Sequence, residues 1–539
     1  MNMVHNILVD FTGSTNLSKN NPNLEGSAIS RNMYTGFNGD EKDKRTYMES
    51  APGIKFWMSL GDSGQVDGMY VPSTGLEIMN YEPDLFVAYG GNVYRVTKAG
   101  DTEVIGQYAT GNCVQFAESG GERAILLWVD GQNIYGWDLK KGATVDITLP
   151  KRITENLYIK PSHIAVVSGT IVVNDLGSGY VYYSIPYPLS QEKREVFNIV
   201  NGEVQYKGDG ITVDTREVDS GEYCFLDNYG VQKYFNAESS SDKVNAIYSV
   251  GSLLTLFGPS SIEFWQKADS DTITWSRVSY SINKEQGLEA KYSLASVNRT
   301  VFCIGTGKSQ AKCILMINDT KIEKISPEWM DKILNNSDVK NLRGWTYSKN
   351  NHSFYMISIG NETYCYDVAT GQWHIRSSRN FYNAQNKKYM PQFAVWFDNR
   401  IVTGSCENGN LFILDENYYR EDFNTTQSLP LLRVRQTPVL TSNYKNFLIH
   451  ELALECNVGH IIEYGKQSKA LIQVSRDGGY TWSNVIEAHV GMKGQYMSRL
   501  RWLNLGMMRQ GVLKVSFSED SDFVISDASI RMTECQGGV

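Results

Sequence analysis

Few residues of this 539-residue chain could do chemistry, and their spacing fails the patterns that chemistry needs. Gly305-Thr306-Gly307-Lys308-Ser309 ends like a phosphate-binding loop. The pattern G-x-x-x-x-G-K-[ST] needs glycine at position 302, which is Phe302, and the run joins two apolar stretches instead of opening a helix. His450-Glu451 begins an H-E-x-x-H match that stops at Leu454. The seven histidines are scattered, with no pair at ligand spacing. There is no G-x-S-x-G elbow. Asp269 and Asp271 alternate in a turn-like run; a solvated loop is the expectation, with a weak calcium site as the alternative. No catalytic residue, cofactor or resident metal is expected.

The sharpest motif is Ser475-Arg476-Asp477-Gly478-Gly479-Tyr480-Thr481-Trp482, which fits S-x-D-x-G-x-T-W. These residue types suit a hairpin lock. The Asp477 carboxylate accepts N–H bonds of the turn, Gly479 takes a positive φ, and Trp482 packs beneath. The expected role is structural, with ligand contact as the alternative. The same box occurs in sialidases, which also need converging arginines and a Tyr–Glu pair. A single box, without an Arg-Ile-Pro segment near the start, argues against that activity.

The elements that would hold such motifs are strands. Aromatic residues make up 12%, charged residues 20%, and there are 47 glycines and 13 prolines, a mixture that excludes coiled coils and disordered chains. Apolar runs alternate with Gly/Asn/Asp turns, as in Phe86–Tyr89, Gly90-Gly91-Asn92, Val93–Val96, and again in Ser353–Ile359, Gly360-Asn361, Thr363–Asp367. The runs begin near 86, 124, 164, 244, 300, 353 and 393. Units of about 40–55 residues predict a β-propeller, six- or seven-bladed, over 1–430. The one wide gap holds Val204–Asp219, which reads as a polar insertion. A helix is expected from Pro327 to Leu334 with Ser326 as its cap. After residue 430 the runs lengthen and alternate, and a C-terminal β-sandwich-like domain is expected over 431–539.

Charge is uneven. Residues 431–539 carry 12 bases and 10 acids, and residues 1–430 carry 39 and 49. An acidic body repels a phosphate backbone, so no DNA-gripping surface is expected, although a conduit along which DNA slides tolerates it. The eight cysteines show no C-x-x-C spacing and read as buried free thiols. Neither a signal peptide nor a membrane-spanning run is legible.

Leu256-Phe257-Gly258-Pro259-Ser260-Ser261-Ile262-Glu263-Phe264-Trp265 places a tight turn before an acid flanked by bulky strand formers. It resembles a motif of the packaged-DNA stabilisation, or tail hub (nozzle), proteins of short-tailed bacteriophages. Asn32-Met33-Tyr34 with Ala51-Pro52-Gly53 resembles that family's opening. Tyr364–Asp367 with Gly371, Trp373, His374 and Arg376-Ser377-Ser378 resembles one of its blades. Ser475–Trp482 followed by Trp502, Gly506 and Arg509 resembles its last region. The structural motif residues are therefore Ser261, Ile262, Glu263, Trp265, Trp373, Ser475, Asp477, Gly479, Trp482, Trp502, Gly506 and Arg509. The resemblance implies a non-enzymatic virion protein of the tail, assembled in the host cytoplasm. It implies a ring, a hexamer in the family, below the portal and its adaptor. That ring extends or closes the DNA conduit, retains packaged genome, and docks a needle, fibres or spikes. DNA passes without sequence-specific binding, and nothing inserts into a membrane. Trp57, Tyr187 and Tyr382 are the expected interface anchors. The alternative is a carbohydrate-binding or glycoside-cleaving propeller on the tail.

Overall fold

The computed structural model describes residues 4–8, 11, 29–38, 45–73, 83–153, 155–237, 243–268, 274–278, 285–307, 311–442, 445–457, 468–491 and 499–535. The acidic run at 269–271 and the end of the phosphate-loop lookalike at 308–309 lie outside them.

Short strands meeting at left-handed turns build most of the chain. Two-residue hairpin turns need positive φ to match strand twist, and Gly90-Gly91 and Asp398-Asn399 supply it. Seven four-stranded antiparallel sheets follow one another among the described residues. Their innermost strands are Val66–Tyr70, Gln115–Ser119, Ile164–Val167, Ala246–Val250, Ala295–Val297, Gly344–Lys349 and Pro391–Phe397. The fourth strand of the seventh sheet is Gly53–Ser59, from near the start of the chain, antiparallel to Asn410–Asp415. A side chain at Gly53 would meet the Tyr418 carbonyl at 1.8 Å, so only glycine lets this closing strand lie flat.

Because successive side chains point to opposite faces, each sheet offers one face to the preceding sheet and one to the next. Seven buried clusters result, one between each consecutive pair. Phe86 and Trp128 join the first and second sheets; Phe302 and Tyr355 join the fifth and sixth. Val402 and Leu411 pack on Val66 and Val87, so the seventh sheet meets the first and the ring closes. The structure is a β-propeller followed by a β-sandwich.

The sandwich has two sheets over one core that includes Leu452, Leu454, Trp502, Val515 and Ile530. In one sheet, Val524–Glu534, Phe447–Asn457 and Arg499–Met508 lie side by side. In the other, Arg433–Gln436, Gln510–Phe517, Ser468–Ser475 and Ile486–Gly491 do. The expected division at residue 430 does not hold for the start of the chain. Val4–Leu8 and Arg45–Ser50 pair with Val524–Glu534, and Met33–Asn38 pairs with Arg45–Ser50. Met33 and Met48 are buried in the sandwich core. These isolated apolar residues in a polar stretch look unremarkable in sequence, yet they complete a face that the C-terminal strands cannot cover alone.

The wide gap in the repeat is an insertion within the third sheet. Residues 187–233 separate its third strand, Tyr180–Pro186, from its outermost strand, Tyr234–Asn236. The expected helix is present at Glu328–Asn335. Its cap position is Pro327, while Ser326 Oγ donates to Asp331.

Candidate functional site

The two halves are joined by main chain and by buried polar side chains. Ile29–Arg31 bridges them, with Arg31 lying parallel to Ile375 of the sixth propeller sheet and Ile29–Arg31 antiparallel to Arg433–Gln436 of the sandwich. One continuous sheet therefore runs from propeller to sandwich. Asn32, with φ at 53°, is the staple. Its amide nitrogen donates to the Ser377 and Leu432 carbonyls, each at 2.9 Å, and its oxygen accepts the Ser377 N–H at 3.0 Å. Arg31 makes a two-pronged pair with Glu362, both distances 2.9 Å.

Tyr34, in the strand Met33–Asn38 of the sandwich sheet, packs its ring against the sixth propeller sheet. Its ring meets His352 and Phe354 edge-on at 5.1 and 5.2 Å, and the Arg376 guanidinium lies 5.4 Å from it. Arg376 is fully buried and donates to His374 Nε2 and the Tyr347 hydroxyl, each at 3.1 Å. Burial, with Arg376 adding to it, drives His374 well below its ordinary value, so it stays neutral and accepts that bond. His352 instead contacts the Asp367 carboxylate at 2.8 Å. These groups sit among packed aromatics, a setting that positions elements and leaves no room for a substrate.

A second constellation closes the propeller axis where the inner strands begin. Arg343, entering the sixth sheet, pairs with Asp67 of the first at 2.8 Å and donates to the Val66 carbonyl at 3.0 Å. The Tyr108 hydroxyl donates to Asp67 at 2.5 Å. Tyr292 reaches Asn112 at 3.1 Å, and His163 Nε2 donates to the Lys291 carbonyl at 3.1 Å. His163 is buried and pushed down to about 3 by that burial, with Lys291 adding to it. Beyond this seam lies an axial cavity of about 690 Å³ lined by all seven inner strands, with Tyr70, Phe116, Tyr248 and Trp345 among its walls. That is the scale of a small-molecule pocket. A DNA duplex, whose major groove alone is about 12 Å wide, does not fit.

The motif residues lie apart from one another. Ser261, Ile262, Glu263 and Trp265 sit at the third strand of the fourth sheet, all buried. Glu263 accepts the Trp265 indole N–H at 3.0 Å, its other oxygen has no protein hydrogen-bond partner, and the residue lines a cavity of about 10 Å³. Trp373, in the sixth sheet, donates to the Ile325 carbonyl at 3.0 Å. Ser475, Asp477 and Gly479 form the lock. Asp477 accepts from Ser475 Oγ at 2.7 Å, the Thr481 N–H at 2.9 Å and Thr481 Oγ1 at 2.6 Å, and the Gly479 N–H donates to Ser475 Oγ at 2.7 Å. Hydrogen bonds from the Thr481 side chain and main chain, then from Ser475, hold this carboxyl well below the usual range. Gly478 and Gly479 both take positive φ. Trp482 departs from the expected place under the turn. It is half-buried on the surface, with Lys514 Nζ 4.0 Å above its ring. Asp477→Ala should therefore loosen this hairpin alone. Amide exchange at Gly479 and Thr481 should quicken about tenfold, the worth of an ordinary hydrogen bond, with propeller amides unchanged.

Trp502 is buried and donates to the Ile486 carbonyl at 3.2 Å. Gly506, at φ 93°, lies against Arg476 where the register between Phe447–Asn457 and Arg499–Met508 slips, and Arg509 is exposed. Of the expected anchors, Tyr382 is exposed and Tyr187 is half-exposed beside the axial cavity. Trp57 is half-covered by Phe397 and Arg400. The cysteine thiols at 113, 224 and 365 are pushed up to about 12 by burial, which removes their nucleophilicity at neutral pH.

The profile described as bacteriophage P22 Gp10, beta-propeller, matches residues 223–419, and that of bacteriophage P22 Gp10, beta-sandwich, matches residues 432–533. The chain belongs to the bacteriophage P22 Gp10 family. It is a structural protein of the short phage tail. The propeller match covers Ser261–Trp265 and Trp373; the sandwich match covers the Asp477 lock, Trp502, Gly506 and Arg509. The sandwich profile begins one residue before Arg433, at the strand that joins the sandwich to Ile29–Arg31.

No curated protein matches the chain of this Gp10-family member. Among solved structures, a virginiamycin B lyase from Staphylococcus aureus aligns at 11% identity and TM-score 0.37, over 66% of this chain and 97% of that one. The computationally designed Ika8 protein aligns at 12% identity and TM-score 0.32, over 73% and 98%. Likenesses this distant carry no weight for function.

Sequence reasoning passed over Asn32, Arg376, Arg433 and the Arg343–Asp67 pair as functional groups. Arg376 and Asn32 stood inside quoted motifs, and that was their only signal. Nothing local marks Arg343, whose acceptors at Val66 and Asp67 lie 277 and 276 residues away.

Proposed function

We infer that this chain is the repeating subunit of a ring, six copies in the family, that sits below the portal and its adaptor, prolongs the DNA conduit, retains packaged genome and docks the needle, fibres or spikes. The observation that carries the reading beyond family membership is the bridged axis. With Arg343–Asp67 and Tyr292–Asn112 spanning it, DNA runs between copies and not through a propeller. The propeller is then a rigid wedge, and the continuous sheet through Ile29–Arg31 fixes the sandwich to it. The acidic balance of 1–430 keeps DNA mobile past that wall.

A glycosidase reading is weaker. Such enzymes flank the scissile bond with two carboxyl groups about 5–9.5 Å apart. Among the described residues lining the axial cavity Glu118 is the one carboxylate, and Asp477 is spent on its own turn. The decisive experiment is a particle preparation lacking this chain. Heads should fill and then lose DNA, and adding the purified chain should restore retention. Particles that keep full DNA content without it would overturn the reading.

A further inference from the structure

The insertion at 187–233 is an arm on the rim of the propeller, since it leaves the third sheet just before that sheet's outermost strand. Its base is fixed. Arg194 donates to the Tyr223 and Leu226 carbonyls at 2.8 and 2.6 Å, and Cys224 and Phe225 are buried in the propeller core. Outward from that base run the pair Lys193–Phe197 and Thr215–Asp219 and then a smaller hairpin, Ile199–Val200 with Glu203–Val204. The tip presents Tyr206, 57% exposed, and Ile211, 84% exposed. A two-stranded ribbon has no core of its own, so apolar side chains at its tip are poorly accounted for by folding alone. The segment 187–236 carries nine acids and five bases.

A matching surface lies on the sandwich. Arg499–Met508 is the last strand of its sheet among the described residues. Its outward side shows Leu503, 53% exposed, and Met507, 55% exposed; Arg499 and Arg501 before them pair with Glu455 and Glu451 of the neighbouring strand, and exposed Arg509 follows them. The arm thus carries an apolar tip on an acidic segment, and the sandwich strand an apolar side that ends on the exposed base Arg509. The sandwich joins the ring of seven sheets at the sixth, while the arm leaves the third, three or four sheets away by either route and so on the far side of the disc. Complementary patches on opposite sides of a subunit are what a head-to-tail, heterologous ring requires.

We propose that the arm tip of one copy, through Tyr206 and Ile211, docks on the Leu503–Met507–Arg509 strand of the next copy and so builds the ring. This rests on the ring reading above and names the surfaces that make it. The arm residues before 223 lie outside the matched family span, so this contact belongs to the chain's own sequence.

The test uses the full-length chain in sedimentation across a concentration range. One variant carries Tyr206→Asp with Ile211→Asp; the other carries Leu503→Asp with Met507→Asp. All four positions are at least half exposed, and an unchanged melting profile verifies folding. The parent should form rings, and each variant alone should self-associate at least 100-fold more weakly. Mixed in equal amounts, the two should give a 1:1 dimer and nothing larger, because each retains one complementary half. Arg509→Glu, a milder change, should weaken assembly about tenfold. Rings from either double variant, or a mixture that stays monomeric, would overturn the arm assignment while leaving the ring reading intact. A parent chain that is monomeric at every concentration would overturn both.

Discussion

Arg433→Ala is expected to lower the stability of the sandwich by about 4 kcal/mol or more, enough to separate its melting from that of the propeller. Arg433 is fully buried at the end of the linking strand. Its guanidinium donates to the Ser521 carbonyl at 2.6 Å, to Ser50 Oγ at 3.2 Å and to the Glu519 carbonyl. It also lies 4.6 Å from the Phe517 ring and 5.6 Å from Tyr419. Burial pushes it down to about 10, with Asp522 opposing, so it remains charged at neutral pH. Truncation strands the buried Ser521 carbonyl at about 1–3 kcal/mol and the half-buried Glu519 carbonyl at less, and opens a void beside Phe517. Arg433→Lys should recover part of the loss, because a point charge cannot reach both carbonyls with a planar fork. Calorimetry of the parent and both variants measures this. An alanine variant melting within about a degree of the parent would show that the junction does not depend on this side chain.

That dependence explains what the sequence could and could not reveal. Strand content, the propeller and the following sandwich were legible because hairpin turns and alternation are local signals. Gly90-Gly91, Asp398-Asn399 and the runs around them need no distant partner to be recognised. The Asp477 lock was legible for the same reason, since its bonds span at most four residues. The closing strand Gly53–Ser59 was not, because its partner lies over 350 residues away and only the Tyr418 carbonyl explains the glycine. Met33–Asn38 and Arg45–Ser50 were assigned with the propeller over 1–430 for the same reason: only Val524–Glu534, far along the chain, draws them into the sandwich. Trp482 misled because a tryptophan after a turn suggests burial, whereas Lys514 was available to cover it at the surface. In Leu431–Arg435 alternation sets Arg433 and Arg435 on one face of a strand, and nothing in the run says what that face meets. Both arginines are buried because this strand has protein on both faces, which alternation cannot register.

Glu421→Gln is expected to stabilise the chain at neutral and alkaline pH and to do little in acid. Glu421 is fully buried in the hairpin after the seventh sheet, paired in register with Ile54 of the closing strand. One carboxylate oxygen accepts the Arg379 N–H at 3.2 Å, and the other has no hydrogen-bond partner. Burial raises it from 4.5 to about 7, with Arg379 opposing. The folded chain therefore holds this proton up to about pH 7, while the unfolded chain gives it up near 4.5. Below 4.5 both states are protonated and there is no penalty. Between 4.5 and 7 stability falls as pH rises, because the folded state binds more protons than the unfolded one. Above 7 the full cost, about 3 kcal/mol at about 1.4 kcal/mol per pH unit, is present and constant. Glutamine mimics the protonated acid, so the difference between variant and parent should start near zero at pH 4.5, grow to pH 7 and then level off. Melting temperatures at half-unit pH intervals would trace that curve. A difference that does not vary with pH, or a variant weaker than the parent at pH 8, would mean that Glu421 finds compensation in the fold. The outer side of the closing strand Gly53–Ser59 thus carries a buried carboxyl whose cost to the fold grows between pH 4.5 and 7, and pH-dependent loosening should be read first in the hairpin that holds it.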